Sequence, residues 1–150
     1  MRLLLAYLIV GLCAIQAYSE QRFDHSANAW VRDKHTGLVW QDTPDNAHKT
    51  FTWRDAKRYC SALHLGDLSW RLPTQDELLS IIDFTQPLPE IYPVFAHVVQ
   101  EDYWTSDGDD AHQAKSIFFG SGCINDTSRQ KPLYVRCVHA PDTASSQTSR

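Results

Sequence analysis

A helix start in the middle of the chain constrains the fold more than any other stretch. Pro73 pushes the residue before it, Leu72, into an extended conformation, because the proline ring clashes with a helical neighbour. The Thr74 hydroxyl can cap the helix that follows, and Glu77, three residues on, closes a capping box. The whole motif comprises Trp70, Arg71, Leu72, Pro73, Thr74 and Glu77.

The residues around this motif predict a scaffold element. Acidic residues in the first turn complement the helix dipole, and the helix is predicted over residues 75–84. Its apolar residues recur on one face, which is typical of a half-buried helix; they are Leu78, Leu79, Ile81 and Ile82. We expect Trp70 and Leu72 to be buried and Arg71 to find a carboxylate or carbonyl partner.

The remaining pattern predicts an α+β domain with helices packed on a small, mostly antiparallel sheet and long irregular loops. Gly37 can supply a positive φ in a hairpin turn, and Thr52 can cap the first helix. The predicted elements are a hairpin of strands over 29–32 and 38–41, a loop over 43–49, a helix from Thr52 to Gly66, and strands over 103–105, 115–119 and 133–138.

The residues at the two ends of the chain predict segments that lie outside the folded domain. Arg2, an apolar run up to Ile15 and the small residues Ala17 and Ser19 predict a signal peptide over 1–19, with an uncleaved anchor as the alternative. The folded domain is predicted over 20–139, without a membrane span, and a disordered Ser/Thr-rich tail over 140–150. We therefore expect a periplasmic or secreted bacterial protein.

The charge balance limits the classes of partner that the chain can be expected to bind. The chain has 14 Lys and Arg against 18 Asp and Glu, a net charge of −4, which argues against a nucleic-acid partner. The negative charge also argues against a polyanionic glycan as the partner, unless a local basic patch outweighs the net charge of the chain. Arg54, Lys57 and Arg58 lie on the outer face of the first helix, where the pattern favours a solvated surface over a binding patch.

Three cysteines remain after signal removal, at positions 60, 123 and 137. An oxidising compartment favours one disulfide with one thiol left over, and the residues alone allow three pairings. A bond between Cys60 and Cys137 would close most of the domain, with a stabilisation of about 4.5 kcal/mol on the chain-entropy model. Cys123 would then be free or available to another chain.

Short motifs run in a fixed order from about residue 30 to residue 138. They are Asp33, Thr36-Gly37-Leu38, Trp40-Gln41, Trp53, Ala56, Tyr59-Cys60, the helix-start motif, Tyr103-Trp104, Phe118, Gly120 and Val135-Arg136-Cys137-Val138. In this order they resemble the Lcl C-terminal domain family, a domain of unknown function named after a collagen-like adhesin of Legionella.

This resemblance implies a C-type-lectin-like fold, which also includes the formylglycine-generating-enzyme domains. In that fold a cysteine of the first helix commonly bonds to one in the final strand, which selects Cys60 with Cys137. It also implies that the first and last strands lie together.

An acidic loop over residues 101–110 is the predicted ligand site. Oxygen-rich clusters of this kind suit Ca²⁺, and Asp107, Asp109 and Asp110 are the candidate ligands. Asp102 is a further candidate for ligand binding, and Trp104 could stack on a sugar. The alternative is a solvated acidic turn, with Tyr103 and Trp104 belonging to the core.

The sequence predicts a non-catalytic recognition or adhesion module that binds a glycan, a matrix component or an envelope protein. A structural subunit of an envelope assembly is the alternative, and an enzyme related to formylglycine-generating oxidases is a third hypothesis. That chemistry needs a closely placed cysteine pair, and the chain has no nucleophile motif or phosphate-binding loop. Calcium is the candidate cofactor, and the sequence indicates no particular oligomeric state.

Overall fold

The computed structural model describes residues 21–26, 29–85, 90–108 and 111–141. The predicted signal peptide over 1–19 lies outside the described residues, as does the predicted tail from residue 142 onward. In the described part, the helices are α1 (Asp45–His48), α2 (Trp53–Ser61) and α3 (Gln75–Leu79). The strands are β1 (Phe23–Ser26), β2 (Trp30–Asp33), β3 (Val39–Gln41), β4 (Thr50–Phe51), β5 (Ile82–Asp83), β6 (Glu90–Ile91), β7 (Asp102–Trp104), β8 (Gln113–Phe118), β9 (Cys123–Ser128), β10 (Leu133–Tyr134) and β11 (Val138–His139).

The first sheet brings the two ends of the domain together. Its strands run in the order β1-β2-β3-β11, and each neighbouring pair is antiparallel. Gly37 takes a φ of 77° in the turn between β2 and β3, a left-handed conformation that favours glycine. Because Val138 in β11 lies opposite Trp40 in β3, the last strand pairs within the sheet that also holds the first.

The second sheet runs in the order β4-β10-β7-β8-β9. Its pairs are antiparallel except for β10 and β7, which run parallel. A third, two-stranded sheet pairs β5 with β6. The described residues therefore form a small α+β domain with mostly antiparallel sheets, which confirms the predicted α+β class.

Two clusters of apolar side chains form the core. One includes Trp40 and Tyr103, and the other includes Trp70 and Trp104. The second cluster also contains a disulfide between Cys60 in α2 and Cys137 just before β11. This bond confirms the pairing that the family resemblance implies, and the remaining cysteine of the described residues is an exposed free thiol at the start of β9.

The helix-start motif is built as predicted. Trp70 and Leu72 are buried, the Thr74 hydroxyl accepts the Glu77 amide at 3.2 Å, and the Glu77 carboxylate accepts the Thr74 amide at 2.8 Å. Arg71 donates to both oxygens of the same carboxylate, at 2.8 and 2.7 Å. Burial alone would raise the pKa of Glu77, but these donors outweigh it and hold the pKa below its ordinary value.

Removing this carboxylate separates its two roles. We expect Glu77→Ala to lower the free energy of unfolding by about 1–2 kcal/mol, because it loses both a capping bond and an ion pair. Glu77→Gln keeps the cap, so its free energy of unfolding should fall by about half as much as that of Glu77→Ala. Urea unfolding measures both losses. Asp76→Ala controls for the loss of a first-turn charge, which costs about 0.3–1 kcal/mol. Equal losses for Gln and Ala would show that the cap contributes nothing.

A buried ion pair ties the final segment to the strand β3. Arg136 and Asp42 are both buried, and their charged groups lie 3.2 Å apart. Arg136 also donates to the Gln41 and His97 carbonyls, and the Asp42 carboxylate accepts the Ala96 and His97 amides at 2.9 and 3.0 Å. Burial alone would raise the pKa of Asp42, but the two amides and the arginine charge keep it below its ordinary value.

The structure corrects the predicted helices. The helix α2 ends at Ser61 rather than Gly66, and α3 ends at Leu79 rather than residue 84. After α3, the Ser80 hydroxyl donates to the Glu77 carbonyl, and Ile82 pairs with a strand instead of extending the helix. The segment 43–49, predicted as a loop, contains the one-turn helix α1.

The structure also corrects the predicted strands. The segments β1 and β9 are too polar to show a strand pattern, but β9 pairs along its whole length with β8. The predicted strand over 133–138 divides into β10 and β11, which belong to different sheets. The buried Arg136 lies between them, where its ion pair replaces strand pairing.

Candidate functional site

The acidic loop contributes several of its side chains to the fold. Trp104 is fully buried, and its indole Nε1 donates to a β4 carbonyl at 2.8 Å, so its ring has no exposed face for a sugar. Tyr103 is fully buried as well. The Asp102 carboxylate accepts the Ser116 hydroxyl and the Asn125 amide, each at 2.9 Å. The core placement of the two aromatic residues agrees with the alternative interpretation of this loop.

Asp107 anchors the loop to the helix-start motif. Its carboxylate accepts the backbone amide of Gln75, the first residue of α3, at 2.6 Å. Asp109 and Asp110 lie outside the described residues. Among the described residues, no group of three or more His, Cys, Asp or Glu is placed to hold a metal ion. The calcium site at Asp107, Asp109 and Asp110 therefore stays a prediction.

A surface cavity of about 540 Å³ lies beside the start of α2. The helix contributes its first turn, and the turn after β9 contributes Arg129 from the opposite wall. The cavity is rich in guanidinium groups, although the chain as a whole is acidic. The residues that line it are Thr52, Trp53, Arg54, Asp55, Arg58, Ala111, Arg129 and Gln130.

Trp53 organises the charges of this cavity. Its indole Nε1 donates to the Thr105 carbonyl at 2.8 Å, and its backbone amide donates to the Arg129 carbonyl at 3.0 Å. The Arg129 guanidinium lies 4.1 Å from the indole centroid, and the Lys57 ammonium lies 4.4 Å from it. Cations over an aromatic face are attracted by the ring quadrupole, so the indole holds two positive charges next to the cavity.

The acidic residue of the cavity neutralises only part of this charge. Asp55 forms an ion pair with Arg58, and the arginine and the Thr52 hydroxyl hold the Asp55 pKa below its ordinary value. Asp55 is therefore ionised at neutral pH. Three arginines line the cavity against this one acidic residue, which gives the lining a net positive charge, and guanidinium groups bind carboxylate, sulfate or phosphate oxygens.

A second cavity of about 390 Å³ lies on the other side of Lys57. It is lined by Ser61, Arg71 and Leu72 among others, and the Arg71 guanidinium is already engaged by Glu77. The first cavity therefore offers the larger number of cations that a ligand could contact.

Comparison with known proteins identifies the family. Residues 29–139 match the sequence profile of the Lcl C-terminal domain. The chain belongs to the Lcl C-terminal domain family. The Lcl C-terminal domain is associated with adhesins, and no curated protein matches this chain. None of the helices in the described part of this Lcl C-terminal domain is long and apolar enough to cross a membrane.

The sequence pattern pointed to Arg54, Lys57 and Arg58. It did not point to Trp53 and Arg129, which complete the cavity. Trp53 reads as a core position because it falls on the apolar face of α2. Arg129 follows β9, a strand that the pattern does not predict, so nothing in the sequence places it opposite α2. The signal available was the unusual number of cations in one helix of an acidic chain.

Proposed function

We propose that this domain is a non-catalytic adhesion module and that it binds an anionic glycan in the cavity beside Trp53. The observation that carries the proposal is the pair of cations held on the Trp53 indole, at 4.1 and 4.4 Å, next to two further arginines. The carboxylates of the acidic loop are not part of this proposed site. Calcium in that loop is a separate hypothesis.

The chemistry of the cavity favours charged sugars over neutral ones. A guanidinium matches the planar spacing of carboxylate or sulfate oxygens and binds them through two parallel hydrogen bonds. Neutral sugars are commonly held by an exposed aromatic face, whereas the indole of Trp53 is already covered by cations. Membership in an adhesin-associated family supports the same interpretation.

The proposal includes a C-type-lectin-like fold and a place outside the cytoplasm. The disulfide from α2 to the last strand and the pairing of β11 with β3 support that fold. A structural disulfide is typical of the periplasm and the extracellular space. An oxidase related to formylglycine-generating enzymes is disfavoured, because Cys137 is bonded to Cys60 and Cys123 stands apart at the start of β9.

The proposal is tested by binding to dextran sulfate, with neutral dextran as the probe that differs only in charge. We expect the domain to bind dextran sulfate, to lose affinity as salt is raised, and to ignore dextran. Arg129→Gln and Arg54→Gln should each weaken binding about tenfold, equivalent to about 1.4 kcal/mol. Isothermal titration calorimetry at two salt concentrations measures these effects.

A matched control distinguishes a site from general charge attraction. Arg32 is exposed and lies 5.9 Å from the Trp30 ring, so it is a second arginine beside an indole, outside the cavity. Arg32→Gln should leave the affinity within about twofold of the parent. An equal loss for Arg32→Gln and Arg129→Gln would refute a defined site. Stoichiometric recovery with one envelope assembly, without glycan binding, would favour the structural-subunit alternative.

A further inference from the structure

We propose that Gly108 is a positioning residue for the glycan site, because it leaves the space in which the Arg129 guanidinium lies on the Trp53 indole. The inference rests on the proposed function and concerns what positions the Arg129 guanidinium in that site. A Cβ atom at position 108 would lie 2.5 Å from Arg129 Nη2 and 3.4 Å from Arg129 Cζ. Any other residue at this position would therefore displace the guanidinium.

The Arg129 side chain is held in place from several directions. Its Nε donates to the Gln113 carbonyl at 2.9 Å, and its guanidinium lies 4.1 Å from the Trp53 centroid. Its backbone amide donates to the His112 carbonyl at 2.9 Å. A methyl group at position 108 would also lie 3.4 Å from the Gln113 carbonyl oxygen. The guanidinium must therefore move from its place between position 108 and the indole, which changes its contact with Trp53.

Gly108 itself is fixed by its neighbour. The Asp107 carbonyl accepts the Lys115 amide at 2.8 Å, and the Asp107 carboxylate accepts the Gln75 amide at 2.6 Å. The backbone at Gly108 is outside the left-handed region, so alanine can take the same conformation. The clash falls on the far end of a flexible side chain, so we expect Gly108→Ala to keep the fold.

The first test needs no ligand. Protons that lie over an aromatic face are shifted upfield, so the Arg129 side-chain protons of the parent should show upfield NMR shifts from the indole. Gly108→Ala should return them toward ordinary arginine values. Unchanged upfield shifts in the variant would overturn the proposal, whether or not any glycan binds. Gly120→Ala is the control, since its Cβ would meet the Phe118 ring at 2.6 Å rather than Arg129.

The second test measures binding to dextran sulfate in a double-mutant cycle. We expect Gly108→Ala to weaken binding about fivefold, and to change nothing further when Arg129 is already Gln. A loss of the same size in both backgrounds would show that Gly108 acts independently of Arg129 and would overturn the proposal. Full affinity of Gly108→Ala alongside a binding parent also overturns it, but leaves the proposed function intact. A parent that does not bind dextran sulfate refutes the proposed function instead.

Discussion

Replacing Asp42 by alanine is expected to lower the free energy of unfolding by about 3–5 kcal/mol, the usual cost of leaving a buried charge without its partner. Arg136 would remain fully buried with its cation facing two backbone carbonyls and the Phe95 ring but no negative charge among these contacts. The Ala96 and His97 amides would lose their acceptor as well. Urea unfolding at neutral pH measures the loss.

The same pair gives the domain a defined pH dependence. The Asp42 pKa in the folded state lies below its ordinary value near 4, so the unfolded chain takes up the proton first as the pH falls. The stabilisation is therefore complete above about pH 5 and is lost as the pH falls through the folded pKa. We expect the parent to lose stability more steeply than Asp42→Ala between about pH 5 and pH 3.

Two further variants make this prediction specific. Asp24→Asn removes an exposed carboxylate that lies 3.4 Å from Lys34, and it should change stability by less than about 0.5 kcal/mol. Asp42→Leu combined with Arg136→Met should recover part of the loss, since no uncompensated charge stays buried. A loss below about 1 kcal/mol for Asp42→Ala would mean that the pair does not hold the segments together.

Removing the disulfide is expected to cost about 2–5 kcal/mol. Cys60 and Cys137 are 77 residues apart. On the chain-entropy model, closing a loop of that length lowers the entropy of the unfolded chain and so stabilises the folded state by about 4.5 kcal/mol. Because the bond lies in the second core cluster, replacing both residues by alanine also removes buried contacts. Denaturant unfolding of the double variant, with and without a reductant, measures the change.

The free thiol supplies the control for this experiment. Cys123 is exposed, so Cys123→Ser should leave stability within about 0.5 kcal/mol of the parent. Non-reduced peptide mapping should recover Cys60 linked to Cys137. Recovery of Cys60 linked to Cys123, or a reductant that leaves the parent unchanged, would contradict the prediction.

The sequence predicted the parts of the fold that depend on neighbours in the chain. The cap at Thr74, the closing carboxylate of Glu77 and the turn at Gly37 are local chemistry, and the structure confirms each. The strands β1 and β9 pair with their chain neighbours β2 and β8, but their own polar residues give no apolar alternation that would reveal a strand. The break between β10 and β11 coincides with the buried Arg136, whose partner Asp42 is far away in the chain.

The candidate site was harder to predict for a related reason. The acidic loop stands out in the sequence because its carboxylates are adjacent, yet Asp107 serves as an anchor for α3. The basic cavity instead combines Trp53 with Arg129, which are far apart in the chain and meet only through the fold. An indole that holds cations cannot be distinguished by sequence from one that fills a core.

The most direct measurement of the central claim is the set of tryptophan indole resonances during a titration with dextran sulfate. Trp40 and Trp104 are fully buried, Trp70 is nearly so, and Trp30 lies in the first sheet. We expect the Trp53 Nε1–H resonance to move with saturable binding while the other indole resonances stay in place. Movement of Trp30 without Trp53, or no movement of any indole at saturating polymer, would contradict this expectation.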